Sequence, residues 1–430
     1  MKKTVPTLSA VDDDDAPELS AELRLAFEDI AELAREGLLA MSVGVGLRVM
    51  VEMMEDELTG VVGPKHAKLP GRSASRHASA PGSVVLGGRR VPMSRPRART
   101  TEGTEVALDT YATFTNDDLL TRVVLERMLA GVATRRHRAV AEPVGTDVEA
   151  TARSTGRSSV SRRFKKATAS ALEELMARDL SGLAVAAMMI DGVMFADACC
   201  VVALAICADG TKVPVGLWLG DTENKTIVTH LLADLSDRGL DATGGLLFVL
   251  DGSKALAAGV KKVFGDKAMV QRCTLHKRRN VTDHLPKEQR RFVDARLAKA
   301  FRDRDASAGL AAAKELAKLL EDRFPDAAAS LREGLDEMFT VRRLGLSDRL
   351  ATTLTNTNAI ESMISICRST SANVKRWRDG KMIKRWVAAG MLNAERSFRR
   401  VKGCKDMPVL VAALAAHAGL GDEAQLGRSA

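Results

Sequence analysis

Three carboxylates, Asp191, Asp251 and Glu361, stand in sequence contexts that suit one metal-dependent site. Asp191 interrupts the apolar run Met-Met-Ile-Asp-Gly, Asp251 ends Phe-Val-Leu-Asp-Gly, and Glu361 follows Thr-Asn-Ala-Ile at the start of a helical pattern. Open α/β sheets place their ligands at strand ends, and a charge inside an apolar strand is costly to bury without a partner. Three acids brought together can hold two divalent cations, which stabilise both oxygens of an in-line phosphoryl displacement. The pattern therefore predicts an enzyme that cuts or joins nucleic acid.

Each of these carboxylates also has a purely local interpretation. Both aspartates precede a glycine, and Asp-Gly is a common turn. For Asp251 the turn and the functional interpretation are equally well supported, whereas a turn at Asp191 would break the predicted strand 184–195, which favours function there. Asn358 and Glu361 have the spacing of a capping box at a helix N-terminus, which would give Glu361 a structural role alone.

Two further groups of residues accompany the carboxylates. Arg368 lies seven residues after Glu361, two turns along the same helical face, and we expect it to reach a phosphate. Cys273 and His276 precede a basic run. A zinc site would need four such ligands, and no second Cys/His pair has suitable spacing, so zinc is disfavoured. We expect instead a helix beginning near His276, beside the active site, whose basic residues contact DNA phosphates: Lys277, Arg278 and Arg279.

The charge of the chain points to a polyanionic partner. The 64 Lys and Arg against 55 Asp and Glu give a net charge of +9, and residues 65–99 contain nine Lys and Arg with no acid. Clustered positive charge is typical of nucleic-acid-binding proteins, with a merely basic surface as the alternative. Aromatic residues make up only 3% of the chain, which argues against base stacking as the main mode of binding.

Cysteine usage and hydropathy predict a soluble cytoplasmic protein, associated with the nucleoid. The six cysteines show no disulfide-framework spacing, and the chain does not begin with a signal peptide. The longest apolar stretch, around Leu38–Met54, is interrupted by Arg48 and is too short and too charged to span a bilayer. We therefore expect no membrane partner.

The N-terminal third of the chain predicts helices around a basic arm. The predicted segments are a disordered tail over 1–19, an amphipathic helix over 20–58 interrupted near Gly44 and Gly46, a basic arm over 63–103 with a short hairpin at 83–92 turning at Gly87-Gly88, helical periodicity over 116–141, and a linker at Pro143–Gly145. The arm is expected to be a small ribbon rather than a packed domain.

A helix-turn-helix is one interpretation of residues 111–180. Ser158 or Ser159 would cap a helix running to about Met176. A short helix, a turn and a basic helix form the pattern whose second helix enters the major groove, although a solvated basic helix fits the residues equally well. The basic residues in its first turns are Arg157, Arg162, Arg163, Lys165 and Lys166.

The segment after residue 181 predicts an α/β core. Its predicted elements are strands over 184–195, 199–208 and 212–219, a helix over 225–238, a strand over 245–250, a helix over 254–264 and a strand over 268–272. Three meandering strands followed by helix, strand, helix and strand form the succession of a ribonuclease-H-like α/β fold. The expected domains are a tail over 1–19, a helical segment with the basic arm over 20–110, the DNA-binding region over 111–180, the core over 181–286 and 351–430, and an all-helical insertion over 287–350.

In combination, these motifs resemble the mutator-type transposases of bacterial insertion sequences. The resemblance covers about residues 20–415 and is carried by Met189–Gly192, Val249–Gly252, Gln271–His276, Thr357–Glu361, Arg368 and Asn373–Gly380. It implies an Asp-Asp-Glu site in which Asp191, Asp251 and Glu361 hold two Mg²⁺ ions, with Mn²⁺ as a substitute. It also implies a signature of unassigned role at Cys273 and His276, and recognition of the element's terminal inverted repeats by the N-terminal region. We further expect DNA contacts from the basic tail residues Lys375, Arg376 and Arg378.

The sequence thus predicts a transposase that acts on double-stranded DNA, at both the terminal repeats and the target, as a homodimer or higher oligomer. Water would cleave the DNA to release a 3′-hydroxyl, which would then attack a target phosphodiester. One alternative is a structure-specific nuclease on the same fold, without strand transfer. The other is a non-catalytic DNA-binding repressor derived from a transposase, which is favoured if the three acids do not converge in space.

Overall fold

The structure is a computed structural model that describes residues 21–67, 71–141, 144 and 146–419. The predicted tail over 1–19 and most of the predicted linker at Pro143–Gly145 lie outside the described residues. The chain divides into two compact units: Met1–Val124 with Thr134–Ser161, and Leu125–Ala133 with Arg162–Ala430.

The elements as far as residue 176 are mainly helices, with one β-ribbon. They are α1 (Ala21–Val62), β1 (Ala74–Leu86), β2 (Arg89–Thr100), α2 (Asp109–Thr115), α3 (Asp117–Leu129), α4 (Thr146–Thr151) and α5 (Arg157–Met176). The predicted interruption near Gly44 and Gly46 is wrong, because α1 runs through both. A single glycine costs a helix only about 1 kcal/mol, which good helix formers on either side can offset.

The predicted hairpin turn is confirmed, but the arm is not an unpacked ribbon. Gly87 and Gly88 have positive φ values of 56° and 71°, the backbone that a tight two-residue hairpin turn requires. The strands extend far beyond 83–92 and pair from Ala74 opposite Thr100 to the turn. Apolar residues of the ribbon and of α1, together with Leu108 at the start of α2, form one buried cluster that includes Met54, Leu58, Val62, Ala74 and Ala98.

Two helix boundaries differ from those predicted. The helix expected over 116–141 ends at Leu129, where Gly131 adopts a left-handed φ of 90°. Helix α5 begins at Arg157, so Ser158 and Ser159 lie in its first turn rather than at its N-cap. The connection between α4 and α5 is tied to the ribbon, because Arg153 and Arg90 exchange backbone hydrogen bonds of 2.8 and 3.1 Å.

The second unit contains a five-stranded mixed sheet, which confirms the prediction of an α/β protein. Its strands and the helices between them are β3 (Val185–Phe195), β4 (Ala198–Cys207), β5 (Lys212–Gly220), α6 (Lys225–Asp237), β6 (Leu246–Leu250), α7 (Lys254–Phe264) and β7 (Ala268–Arg272). The strand order is β5-β4-β3-β6-β7. The first three strands form an antiparallel meander, and β6 and β7 run parallel to β3.

The remaining elements are helical. They are α8 (Thr274–Asp283), α9 (Lys287–Arg302), α10 (Ala306–Glu321), α11 (Pro325–Arg332), α12 (Thr340–Arg343), α13 (Asp348–Leu354), α14 (Asn358–Thr370), α15 (Gly380–Glu395) and α16 (Met407–His417). Helices α8 to α11 and the turn before α12 share a hydrophobic cluster of their own, between Val281 and Phe339.

The sheet is buried on both faces, which fixes its position. Along β3, Met189 packs into a cluster with α14, α15 and α16, whereas Met188 and Ile190 pack into a second cluster with α6 and α7. This alternation explains why the sequence of the strand is apolar almost throughout. Within the described residues, no helix is both long and apolar enough to cross a membrane.

Candidate active site

The first two predicted carboxylates lie side by side on the neighbouring inner strands β3 and β6, at the point where β6 ends. Met189 of β3 is opposite Val249 of the parallel strand β6, so two residues further on Asp191 comes level with Asp251. Burial raises the pKa of Asp191 to about 7, and repulsion from Asp251 adds to this effect. Two carboxylates are therefore held close enough to disfavour simultaneous ionisation in the absence of a cation.

Asp251 also forms a turn, as its local interpretation predicted. Its Oδ1 accepts a hydrogen bond of 2.8 Å from the Ser253 backbone N–H, and Gly252 has a φ of 108° that favours glycine. The turn leads directly into α7, whose N-cap is Ser253. The turn and the position beside Asp191 are compatible, because the turn is what ends the strand.

A fourth carboxylate, Glu223, lies at the same place and was not predicted. It accepts a hydrogen bond from the Ser253 hydroxyl, and its carboxylate fills the space that a side chain at Gly192 would need. Burial raises the pKa of Glu223, and repulsion from Asp251 adds to the shift. Its sequence context, a polar loop between β5 and α6, carries no signal of a site. In the structure, a side chain at residue 192 would displace the Glu223 carboxylate.

Glu361 lies in the first turn of α14, and the capping-box interpretation is wrong. The N-cap is Thr357, not Asn358, and the Asn358 N–H is taken by the side chain of Asn356 at 3.0 Å. The Glu361 carboxylate instead accepts a 2.5 Å hydrogen bond from the Thr357 hydroxyl. Its side chain is 42% exposed. Glu361 is thus oriented by one hydroxyl and stays accessible to a ligand.

Cys273 and His276 lie beside Glu361. The Cys273 N–H donates to the carbonyl of Leu250 at 2.7 Å, which holds the end of β7 next to the strand that carries Asp251. The Thr357 hydroxyl oxygen lies 3.3 Å from Cys273 Sγ and 3.4 Å from His276 Nδ1. His276 Nε2 lies 3.9 Å from Glu361 Oε1.

His276 is the cationic group nearest to the acids. Its hydrogen bond with Cys273 raises the pKa of His276 to about 9, and attraction to Glu361 and Asp251 acts in the same direction. His276 also interacts electrostatically with Asp191. Burial would raise the pKa of the Cys273 thiol, but hydrogen bonds from His276 and Thr357 outweigh it and lower that pKa.

The tightest group of ligand-type side chains differs from the predicted triad. Within the described part of the chain, the set of three whose ligand atoms all lie within 4.8 Å of one another is Cys273, His276 and Glu361. The carboxylate oxygens of Asp191, Asp251 and Glu361 do not all lie within 4.8 Å of one another. Each of the three carboxylates nevertheless interacts electrostatically with His276. Glu361 thus lies with Cys273 and His276, whereas Asp191 and Asp251 lie beside each other, and all three acids interact with the imidazole.

Two of the predicted DNA-contacting residues have internal partners, so those predictions are wrong. Lys277 is 5% exposed, and its ammonium group donates to the carbonyls of Ser330 and Glu333 at 2.6 and 2.7 Å, at the C-terminus of α11. Arg278 forms a two-pronged ion pair with Asp294 of α9, at 2.8 and 2.5 Å. Neither cation is available to a phosphate.

The other predicted basic residues are mostly at the surface. Arg163 is half-buried, and the exposed ones are Arg157, Arg162, Lys165, Arg279, Arg368, Lys375, Arg376 and Arg378. Among the tryptophans, Trp377 packs edge-on against Phe195 at 5.6 Å and Trp386 packs against Phe164 at 4.5 Å. Both rings therefore pack inside the protein.

Comparison with known proteins identifies the group to which this geometry belongs. Residues 21–400 match the model of the family described as "Transposase, Mutator family". The chain is 31% identical over 168 residues to the transposase for insertion sequence element ISRM3 of Rhizobium meliloti (strain 1021), covering 39% of this chain and 41% of that protein. It is 28% identical over 177 residues to the transposase for insertion sequence element IST2 of Acidithiobacillus ferrooxidans, covering 41% of this chain and 58% of that protein.

A third relative is a probable transposase for an insertion sequence element of Corynebacterium diphtheriae, 25% identical over 218 residues and covered over 62% of its length. The matched region thus spans about half the length of these relatives. The family match, by contrast, extends over most of the chain, from α1 to the residues before α16. The chain therefore belongs to the Mutator family of transposases.

Proposed function

We propose that this protein is a DNA transposase that cleaves the ends of an insertion sequence and joins them to target DNA. The observation that carries the proposal is that Asp191, within β3, lies beside Asp251, which directly follows the adjacent parallel strand β6. Asp191, Asp251 and Glu361 also each interact electrostatically with His276. The strand order and the meander followed by two parallel strands support a ribonuclease-H-like core. The run of helices from α9 to α13 supports an insertion within that core.

The donor set fits divalent magnesium. The side chains concerned offer carboxylate oxygens, which are the ligands that hard cations prefer. Among the described residues, no lysine or arginine forms an ion pair with Asp191, Asp251, Glu223 or Glu361. The pKa of Asp191 is raised by burial and by repulsion from Asp251. We propose that Asp191, Asp251 and Glu361 hold two Mg²⁺ ions, for which Mn²⁺ can substitute, and that Glu223 supports Asp191 and Asp251.

When bound, the ions would stabilise charge on the attacking and leaving oxygens of the phosphodiester. The protein's own residues orient the ligands. Ser253 donates to Glu223 and Thr357 donates to Glu361, so two of the carboxylates have a fixed direction. Asp251 is held by the Ser253 backbone. The exposed Arg368 would bind a DNA phosphate through its planar guanidinium group.

DNA binding and assembly belong to the same proposal. The exposed residues Arg157, Arg162 and Lys165 on α5 would contact the terminal inverted repeats, and the exposed tail residues Lys375, Arg376 and Arg378 would contact DNA near the site. Double-stranded DNA at two ends requires two copies of the active site, which supports a dimer or a higher oligomer on DNA. The protein would act at the nucleoid.

One observation favours a second candidate function, a non-catalytic DNA-binding repressor. The three acids do not all lie within 4.8 Å of one another, because Glu361 stands with Cys273 and His276. If that arrangement persisted on DNA, the site would lack its third ligand. A nuclease on the same fold would use the same carboxylates but would not join ends.

A strand-transfer experiment distinguishes these functions. The full chain is incubated in Mg²⁺ with a DNA fragment that carries the element's ends and with a target plasmid. A transposase yields 3′-hydroxyl ends and fragments joined to the plasmid. A nuclease yields cut fragments without joined products, and a repressor yields a mobility shift without cutting. Either of the last two results would overturn the proposal.

A further inference from the structure

The chain gathers a sulfur, a nitrogen and an oxygen ligand at one point. Cys273 and His276 are three residues apart across the start of α8, so both side chains face the same way. Their spacing alone suggested no metal site, because the sequence offers no second Cys/His pair. The fold supplies a third ligand from α14, 85 residues after His276. The ligand atoms of Cys273, His276 and Glu361 all lie within 4.8 Å of one another.

We propose that Cys273, His276 and Glu361 bind one zinc-class divalent cation, at a site that shares only Glu361 with the proposed magnesium pair. Thiolate and imidazole favour zinc and similar borderline cations, whereas magnesium selects oxygen ligands alone. Three protein ligands with one open position make the type of zinc site that also binds water or another ligand. Glu361 is the half-exposed member, so the open position faces outward from Glu361.

The separation of two of the ligand atoms is close to that expected around a bound zinc ion. Atoms bound to one tetrahedral zinc lie about 3.3–3.6 Å apart, given bonds of roughly 2.0–2.3 Å. His276 Nε2 and Glu361 Oε1 are 3.9 Å apart, so a small rotation of the accessible Glu361 side chain would bring this pair to that separation. Cys273 is 1% exposed and is held by its backbone hydrogen bond to Leu250, so the sulfur is the fixed ligand.

Thr357 provides the outer support that metal ligands usually have. It is fully buried, donates to Glu361 Oε1 at 2.5 Å, and lies 3.3 Å from Cys273 Sγ and 3.4 Å from His276 Nδ1. One hydroxyl thus touches all three ligands and fixes the direction of the carboxylate. Outer hydrogen bonds of this kind orient first ligands and tune their affinity.

The site has a consequence for catalysis, which rests on the proposed function. Glu361 cannot serve a zinc-class ion and the magnesium pair with the same oxygens. We therefore expect zinc to inhibit strand cleavage by withdrawing Glu361 from the magnesium site. Inhibition should disappear in Cys273→Ser, which weakens the zinc-class site and leaves the three acids in place.

Cobalt absorption tests the site without relying on catalysis. Co²⁺ occupies zinc sites and absorbs through a thiolate-to-metal band only when a cysteine sulfur is bound. We expect the full chain to show this band at one Co²⁺ per chain and zinc to abolish it. Cys273→Ser should remove the band. His276→Asn should lower the affinity for Co²⁺ at least ~10-fold, because even the loss of an outer-shell partner of a ligand costs that much.

Two cysteine controls make the assignment specific. Cys404→Ser changes a partly exposed thiol outside the site, and Cys199→Ser removes the buried thiol near Asp191. Both should keep the band. Absence of the band in the full chain, its persistence in Cys273→Ser, or its loss in Cys199→Ser alone would overturn the proposal. A cobalt band in a protein that never cleaves DNA would overturn the proposed function and leave the metal site standing.

Discussion

The β-ribbon of the first unit and the carboxylate site of the second unit treat charge in opposite ways. Arginines of the ribbon face acids of their own unit: Arg76 pairs with Glu55 at 2.5 Å, and Arg95 and Arg97 both pair with Glu105 at 2.6 Å. At the site, Asp191 and Asp251 lie side by side and repel one another. These three arginines of the ribbon are paired with acids of the protein, whereas among the described residues no lysine or arginine forms an ion pair with Asp191 or Asp251.

The difference teaches that a cluster of charge in a sequence is not yet a binding surface. The acid-free run over 65–99 looks like a nucleic-acid footprint, but its acids come from α1 and from the segment after the ribbon. The carboxylates at the site look like isolated turn and cap residues, but the sheet brings two of them together. Unsatisfied charge, rather than charge itself, indicates where a ligand belongs.

The largest effect should follow removal of a charge from the site. Asp191→Asn, Asp251→Asn and Glu361→Gln should each lower strand cleavage by at least ~1000-fold, about 4 kcal/mol of barrier, because an amide cannot neutralise a cation as a carboxylate does. Gel assays of 3′-hydroxyl formation in Mg²⁺ measure the loss. Asp237→Asn, at an exposed aspartate near the end of α6, is the matched control and should cleave normally. Full cleavage by Asp251→Asn would remove the carboxylates from the mechanism.

Asp191→Asn should also stabilise the protein, whereas the same substitution at an ion-paired aspartate would destabilise it. The pKa of Asp191 is raised to about 7 by burial and by Asp251, above the ~3.9 of an unfolded aspartate. The folded protein therefore binds the proton more tightly, and stability falls as pH rises from about 4 to 7. The loss is on the order of 4 kcal/mol above that window, at ~1.4 kcal/mol per pH unit.

Thermal unfolding without metal measures this effect. Asp191→Asn should melt at a higher temperature than the unmodified chain at about pH 8, with the gap closing near pH 4. Mg²⁺ should narrow the gap at pH 8 by stabilising the unmodified chain alone. A lower melting temperature for Asp191→Asn at pH 8 would mean that the carboxylate has an internal partner, like those of the ribbon.

These contrasts also define what the sequence could predict. Asp191 and Asp251 were identifiable because the apolar runs that carry them are strands, and strand order places the ends of β3 and β6 together. Glu223 was not identifiable, since only the path from β5 to α6 brings that loop over Gly192. Secondary-structure periodicity reveals the strand, but not which loop covers its end.

For the basic residues after His276, the sequence predicted DNA contacts but could not reveal their partners inside the protein. Lys277 and Arg278 belong to a continuous basic run, yet their partners are Ser330, Glu333 and Asp294, between 16 and 56 residues away along the chain. No local pattern announces such partners. The strand and helix succession of the core depended on local periodicity and was predicted well, whereas the roles of these cations depended on tertiary contacts and were not.

Substitution of Arg368 should have a smaller effect, and it should lower activity without lowering the stability of the protein. It is exposed on α14, so Arg368→Ala should leave the melting temperature nearly unchanged. Cleavage or strand transfer should fall by at least ~10-fold, equivalent to ~1.4 kcal/mol. Arg368→Lys should restore little, because lysine lacks the planar fork. Unchanged activity would make Arg368 an ordinary solvated residue.

The smallest effects should distinguish free arginines from paired ones. Replacing the exposed Arg157 and Arg162 of α5 with alanine should weaken DNA binding and reduce its salt dependence, by about one unit of slope per lost phosphate contact. Replacing Arg95 and Arg97 should leave the salt slope unchanged and lower the stability of the protein only slightly, because ion pairs of an exposed acid contribute little. Mobility shifts at several salt concentrations decide this. The reverse outcome would make the ribbon the DNA-binding surface.

Calorimetric titration of Mg²⁺ into the full chain tests most directly whether the carboxylates of the site bind a metal ion. Mg²⁺ prefers oxygen ligands and binds thiolates poorly, so the titration reports on binding by the carboxylates. We predict saturable binding that Asp251→Asn abolishes, that Glu223→Gln weakens and that Asp237→Asn leaves unchanged. Binding that is identical in Asp251→Asn would contradict the account, because it would place the metal elsewhere and leave the pairing of Asp191 and Asp251 without a function.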